Sequence, residues 1–279
     1  MTPILFGTLA AISTAIGLLL TKSISTRMPA WQVVGPLFLI NALLVAPIIP
    51  FSTPWSLPTR EVLALHAVST VFLIIGASCV FFLITRGRAS GVSVGRAVSP
   101  IAVLLTAPIM LGTTESPVLI FGAVIVMAGA LLPLRRGFDG LGSRTTLLVL
   151  ILLGFSEGLV TVLTAMLSLQ GIGLPEIYIV RTLIAGIFFT MIFLPKDLRV
   201  TDIKPLITRA LFVTGGYVFT ILGVRNGDVV VVQSLWATAP MIVIILEWIH
   251  DRSKPEPSIL IGAIVVALGV STLLGTAFG

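Results

Sequence analysis

Ten apolar stretches, each close to twenty residues long, leave almost no chain between them. They run over 2–21, 31–50, 62–85, 91–112, 117–134, 145–168, 175–194, 205–224, 228–248 and 258–276. About 20 apolar residues cross the hydrocarbon core of a bilayer as a helix, and inside that core only a helix or a closed barrel satisfies its own backbone. The pattern therefore predicts an all-α integral membrane protein of ten transmembrane helices. Only 10% of the residues are charged, against about 25% in a soluble domain, so lipid must surround the chain. The first run lacks a basic stretch before it and is long enough to span, so it is expected to be a span and not a cleaved leader. A single cysteine, Cys79, lies inside an apolar run and offers no disulfide framework or cysteine metal site. No cofactor or metal is expected.

The ten runs are two sets of five. GAVIVMAG at 122–129 returns as GAIVVALG at 262–269, and the same 140-residue offset pairs Pro100 with Pro240, Gly87 with Gly227 and Gly76 with Gly216. Such self-similarity marks a duplication. The halves are expected at 1–137 and 138–279, with the seam in RRGFDGLGSR (135–144). Five is odd, so two copies joined head to tail enter the membrane in opposite orientations. The basic residues agree. Lys22, Arg27, Arg86, Arg88, Arg135, Arg136, Arg144, Lys196, Arg199, Lys204, Arg209, Arg252 and Lys254 are assigned to alternate connections, whereas the other connections hold Arg60 and Arg225. By the positive-inside rule the basic loops are cytoplasmic and both termini lie outside. The net charge of +6 is thus explained by membrane topology, and no nucleic-acid partner is expected. Two inverted five-helix repeats around a central cavity are the predicted architecture, for which a monomer is expected to suffice.

These features resemble the drug/metabolite transporter superfamily, in its ten-helix EamA-like branch. Each half has a helix with an early proline followed by a small-residue helix with glycines seven apart: VSPIAVLLTAPIMLGTTE then GAVIVMAG, and ATAPMIVIILEWIHD then GAIVVALG. Glu115 stands where the family's common glutamate is found, while the second half departs, with Glu247 earlier and His250, Asp251 and Arg252 in the loop. Arg181, in IYIVRTLIAG, looks like the arginine of the family's second repeat helix; the first half has apolar GPLFLIN there. Within the branch, the chain is most similar to bacterial inner-membrane amino-acid exporters of the YddG type. That resemblance implies export of neutral or aromatic amino acids by alternating access, and sometimes of planar cations.

Polar groups within the spans are the sharpest functional signals, because each needs a partner or a wet cavity. Glu157, in LLGFSEGLVTV, is about 12 residues into its helix, about 18 Å along the axis and near the midplane. Three roles are open to it: a proton-coupling carboxylate, a ligand for a substrate ammonium, or the partner of Arg181 on the next helix. Arg181 can bind a substrate carboxylate through two parallel hydrogen bonds, or pair with Glu157. Aligning IST (12–14) with FSE (155–157) brings Ser13 and Thr14 toward the same central volume. Arg96, one turn into the fourth helix beside basic Arg86 and Arg88, is expected to snorkel to the interface. Tyr178, Tyr217, Trp236 and Gln233 are candidates for an aromatic wall and an amide ligand, although tryptophans also gather at interfaces, the account given to Trp31, Trp55 and Trp248. Asn41, Ser78 and His66 are expected to bond to neighbouring backbone. Glycine pairs Gly91/Gly95 and Gly154/Gly158 are expected at close helix contacts, and Pro100, Pro108 and Pro240 at kinks.

Other classes find little support. No paired intramembrane aspartates or H-E-x-x-H occur for an intramembrane enzyme, no P-loop for ATP-driven transport, and no charge ring or filter-like loop for a channel. Among carried solutes, one acidic and one basic group near the centre favour a zwitterion over a lipophilic cation or an anion.

Overall fold

The computed structural model describes residues 2–25, 28–51, 58–85, 92, 95–114, 116–132, 144–194, 200–239, 241–243, 245–246 and 257–278. Among them are ten α-helices and no strand. In chain order these are α1 (Thr2–Ser25), α2 (Ala30–Val45, continued by a 3-10 turn at Ala46–Phe51), α3 (Arg60–Thr85), α4 (Ser99–Leu111), α5 (Pro117–Leu131), α6 (Arg144–Leu169), α7 (Leu174–Ile192), α8 (Val200–Asn226), α9 (Val229–Trp236) and α10 (Pro257–Phe278). Six stretches, in α1, α2 with its 3-10 turn, α3, α6, α7 and α8, are long and apolar enough to cross a membrane by themselves. Large apolar side chains face outward along the bundle, among them Ile109, Leu169 and Met191, each more than three-quarters exposed. Bare apolar surface of that extent is stable only in lipid.

Packing follows the duplication. Helix α1 packs against α8 as α3 packs against α6, and α1 meets α9 as α4 meets α6. Shifting every label by five maps each of these contacts onto its counterpart. The helices that are their own counterparts, α2 with α7 and α5 with α10, pack on each other. The α5–α10 seam explains the duplicated glycines. A Cβ on Gly129 would come within 2.7 Å of the Val266 backbone nitrogen and 2.9 Å of the Gly262 carbonyl. One on Gly269 would come within 2.7 Å of the Val126 nitrogen and 3.0 Å of the Gly122 carbonyl. Val126 and Val266, like Gly129 and Gly269, stand 140 residues apart, so one contact is made twice. Because low numbers on α5 meet high numbers on α10, the two equivalent helices run antiparallel. The repeats are inverted.

Helices α4 and α9 are broken at equivalent points. Residues 95–97 are helical, Val98 turns, and α4 resumes with Pro100 in its first turn; α9 stops at Trp236 and turns at 237–238 before Pro240, which lies outside the described residues. A proline leaves the carbonyl four residues earlier without its helical donor. Here that carbonyl belongs to Arg96, and the Ser99 hydroxyl donates to it at 2.7 Å. The break thus sits directly beside the side chains of Arg96 and Trp236. Gly154 and Gly158 of α6 pack on this segment: their Cβ atoms would land 2.7 Å from the Gly95 carbonyl and 2.6 Å from Ala102 Cβ. The expected small-residue contact is formed; Gly91 lies outside the described residues, as does the 135–143 part of the seam.

A central cavity lined by arginine and aromatic side chains

A cavity of about 970 Å³ opens between the two halves, lined by residues of α1, α2, α3, α6, α7 and α8 and by Arg96 and Trp236 from the two broken helices. Its centre is an ion pair. Arg96 Nε donates to Glu157 Oε1 at 2.9 Å, with both residues buried, and Glu157 Oε2 has no hydrogen-bond partner. The Arg96 guanidinium also lies over the Trp236 ring, 5.5 Å from its centroid, close enough for a cation–π attraction. The indole Nε1 donates to Thr14 Oγ1 at 2.7 Å, and Tyr217 packs on the ring at 5.8 Å. The repeat places these groups in register: Arg96 and Trp236 are 140 residues apart, and Thr14 and Glu157 are the aligned ends of IST and FSE. One position pair carries an ion pair in the first linkage and a Trp–Thr hydrogen bond in the second. Opposite each stands a glycine of the equivalent helix, Gly76 near Glu157 and Gly216 near Thr14.

Two further arginines flank this centre. Arg181 Nη1 donates to Thr164 Oγ1 at 2.8 Å and Ser69 Oγ at 3.3 Å. Arg209 Nε donates to Thr21 Oγ1 at 2.6 Å. The two threonines hold themselves alike, Thr21 donating to the Gly17 carbonyl and Thr164 to the Val160 carbonyl. Among the described residues no carboxylate lies within ion-pair reach of either guanidinium. The rest of the wall is apolar and aromatic, including Leu37, Phe38, Phe72, Phe81 and Ile221.

The chain matches the EamA-like transporter family over residues 1–135 and 144–275. It belongs to that family. A protein of known crystal structure shares its fold with a TM-score of 0.78 at 15% sequence identity, the match covering 99% of this chain and 98% of the other. No curated protein sequence matches it. The protein is therefore a multi-pass membrane transporter of the drug/metabolite type, built as two inverted five-helix repeats.

Several candidate residues of this EamA-like transporter meet in the cavity: Glu157, Arg181, Trp236, Tyr217, Thr14 and Asn41, whose Oδ1 has no hydrogen-bond partner. Four do not line it. Gln233 is fully buried as a brace between helices: its Nε2 donates to Ser99 Oγ at 2.5 Å and its Oε1 accepts from Thr161 at 2.7 Å. Tyr178 turns its hydroxyl to Thr214 Oγ1 at 3.1 Å. Ser78 donates to the Ile74 carbonyl at 2.8 Å, as expected, and Ser13 is not among the lining residues.

Three expectations are corrected. Glu157 pairs with Arg96 and not with Arg181, because α6 packs on α4 through its glycines whereas its contact with α7 is slight. Arg96 does not snorkel; the break at Val98 keeps the start of α4 deep, and its side chain turns to the centre. Arg209, assigned to a basic connection, lies nine residues beyond the first residue of α8 and faces the cavity. His66 differs as well: neither ring nitrogen is hydrogen-bonded, and Nε2 lies 3.9 Å from Glu176 Oε1. Glu115, Glu247, His250, Asp251, Arg252, Trp55 and Trp248 lie outside the described residues. Thr21, Thr161 and Thr164 escaped the sequence reading because a membrane threonine that bonds to its own helix leaves no pattern in composition.

Proposed function

We propose that this transporter moves a small amphipathic solute bearing a carboxylate, with a neutral or aromatic amino acid as the best fit, by alternating access of halves 1–137 and 138–279. The reading includes export across a bacterial inner membrane by a monomer with its basic loops in the cytoplasm. What carries it is the pairing of two opposite recognition groups in an otherwise apolar cavity. Glu157 Oε2, without a partner, suits an ammonium, and the Arg181 guanidinium, bonded only to hydroxyls, suits a carboxylate. Trp236, Tyr217, Phe38 and Phe72 supply a wall for an apolar or aromatic side chain. The volume of about 970 Å³ lies near the upper end of ordinary ligand pockets.

A second reading rests on the charge balance. Three arginines face one glutamate in the cavity wall, and that excess favours an organic anion over a zwitterion while opposing a lipophilic cation. Counterflow in liposomes with labelled phenylalanine, phenylpyruvate and phenethylamine separates the three, since these differ in their charged groups and share the phenyl ring. The amino-acid reading expects phenylalanine to exchange fastest. Preference for phenylpyruvate moves the assignment to organic anions, and preference for phenethylamine overturns the carboxylate reading. Phenylalanine flux is expected to fall at least tenfold in Arg181→Ala and Glu157→Gln; parental flux in both would place the site elsewhere.

A further inference from the structure

Arg209 is a buried cation that a single carboxylate at Arg181 leaves unused. Its anchor, Thr21, stands seven residues beyond Thr14 on α1, and Arg181's anchor, Thr164, stands seven residues beyond Glu157 on α6. Seven residues of helix extend about 10 Å. Helices α1 and α6 are repeat equivalents of opposite direction, and Thr14 and Glu157 lie at the common centre where Trp236 meets Arg96. The two threonines therefore lie on opposite sides of that centre, on the order of 20 Å apart. No single carboxylate of a small solute reaches both guanidinium groups.

The repeat correspondence makes the arrangement more than two scattered charges. Arg209 and Ser69 stand 140 residues apart on equivalent helices α8 and α3, and Ser69 is itself a ligand of Arg181. Each end of the cavity thus uses the same helix positions: a threonine from α1 or α6 and a side chain from α8 or α3. Arg209 spends only Nε on Thr21, and its Nη1 and Nη2 donate to no described residue. Those two nitrogens are the fork that binds a carboxylate side by side. A buried, always-charged group without a carboxylate partner inside a membrane is costly unless a ligand uses it.

We propose that Arg209 with Thr21 is a second carboxylate station, used when the cavity opens on the face where α8 begins, while Arg181 with Thr164 and Ser69 serves the opposite face. This rests on the carboxylate reading above. The cargo enters with its carboxylate on one arginine and leaves from the other, crossing the Arg96–Glu157 centre between them.

The test is sided. KM for labelled phenylalanine and phenylpyruvate is measured separately on right-side-out and inverted membrane vesicles of the full chain. Arg209→Gln, which keeps an amide donor for Thr21, is expected to raise KM at least tenfold on one face and to leave the other within about twofold. Arg181→Gln is expected to do the reverse. Arg209→Lys preserves the charge and controls for folding, and it is expected to recover most of the lost affinity. Equal effects of both variants on both faces, or no effect of Arg209→Gln on either face, would overturn the second station. If the parent carries phenethylamine and neither acid, the carboxylate reading itself fails; acid transport without sidedness discards only the two-station arrangement.

Discussion

Removing either member of the Arg96–Glu157 pair should destabilise the protein, and the two removals should differ. Both residues are buried, and Glu157 already has one unpartnered oxygen. Breaking a buried pair by removing one partner costs about 3–5 kcal/mol. In Arg96→Met the orphaned carboxylate can take up a proton and become neutral, so the loss should sit at the lower end of that range. It includes about 1 kcal/mol from the lost contact with Trp236. In Glu157→Met the orphan is a guanidinium, which does not give up its proton, in a cavity that already holds Arg181 and Arg209. That loss should reach the upper end. The double variant replaces the pair by apolar groups of similar volume, a change that is often neutral. It leaves the Ser99–Gln233–Thr161 brace intact, because Ser99 and Thr161 reach the main-chain carbonyls of positions 96 and 157. Thermal unfolding in detergent, followed by gel filtration of the surviving monodisperse fraction, measures the order. At about 3 °C per kcal/mol, the midpoint should fall by on the order of 10 °C or more in Glu157→Met, somewhat less in Arg96→Met, and only a few degrees in the double variant. Flux should be lost in all three. A double variant less stable than either single one would show that the pair is a net stabiliser and refute this reasoning.

Two further perturbations test the packing. Gly129→Ala and Gly269→Ala force a Cβ against backbone atoms of the facing helix and should each lower stability by about 1–3 kcal/mol; Gly76→Ala, whose nearest neighbour would be 3.5 Å away, should stay within about 0.5 kcal/mol. The same unfolding assay reads all three, and an equal loss at Gly76 would contradict the seam. Thr14→Val strands the buried indole N–H of Trp236 at about 1–3 kcal/mol. Adding Trp236→Phe removes that donor and should recover part of the loss, so a double variant less stable than Thr14→Val would disprove the bond's role.

What could be read from the chain without coordinates follows from which interactions are local. Apolar run length and the repeated glycines are properties of single segments, and they led to ten helices and to the α5–α10 seam. The partner of Glu157 depends instead on which helix lies beside α6, a matter of topology: Arg96 is 61 residues away in the chain, whereas Arg181 is nearer and on the next helix. Arg209 was lost for a different reason, since cutting spans at basic residues assigns to a loop any arginine near a helix start. The duplication itself held the missing signal. Thr14 and Glu157, Arg96 and Trp236, Ser69 and Arg209, and Thr21 and Thr164 are four repeat-equivalent pairs, and seven of these eight side chains line the cavity, with Ser69 bonded to one of them. In each of the first three pairs one member was already notable from sequence, and its equivalent was either unremarkable or given another explanation. An inverted repeat brings equivalent positions to one shared axis, so a polar group in one copy implicates its counterpart in the other even after the residue type has changed. By that logic Arg96 is found from Trp236, and Arg209 from the serine that holds Arg181.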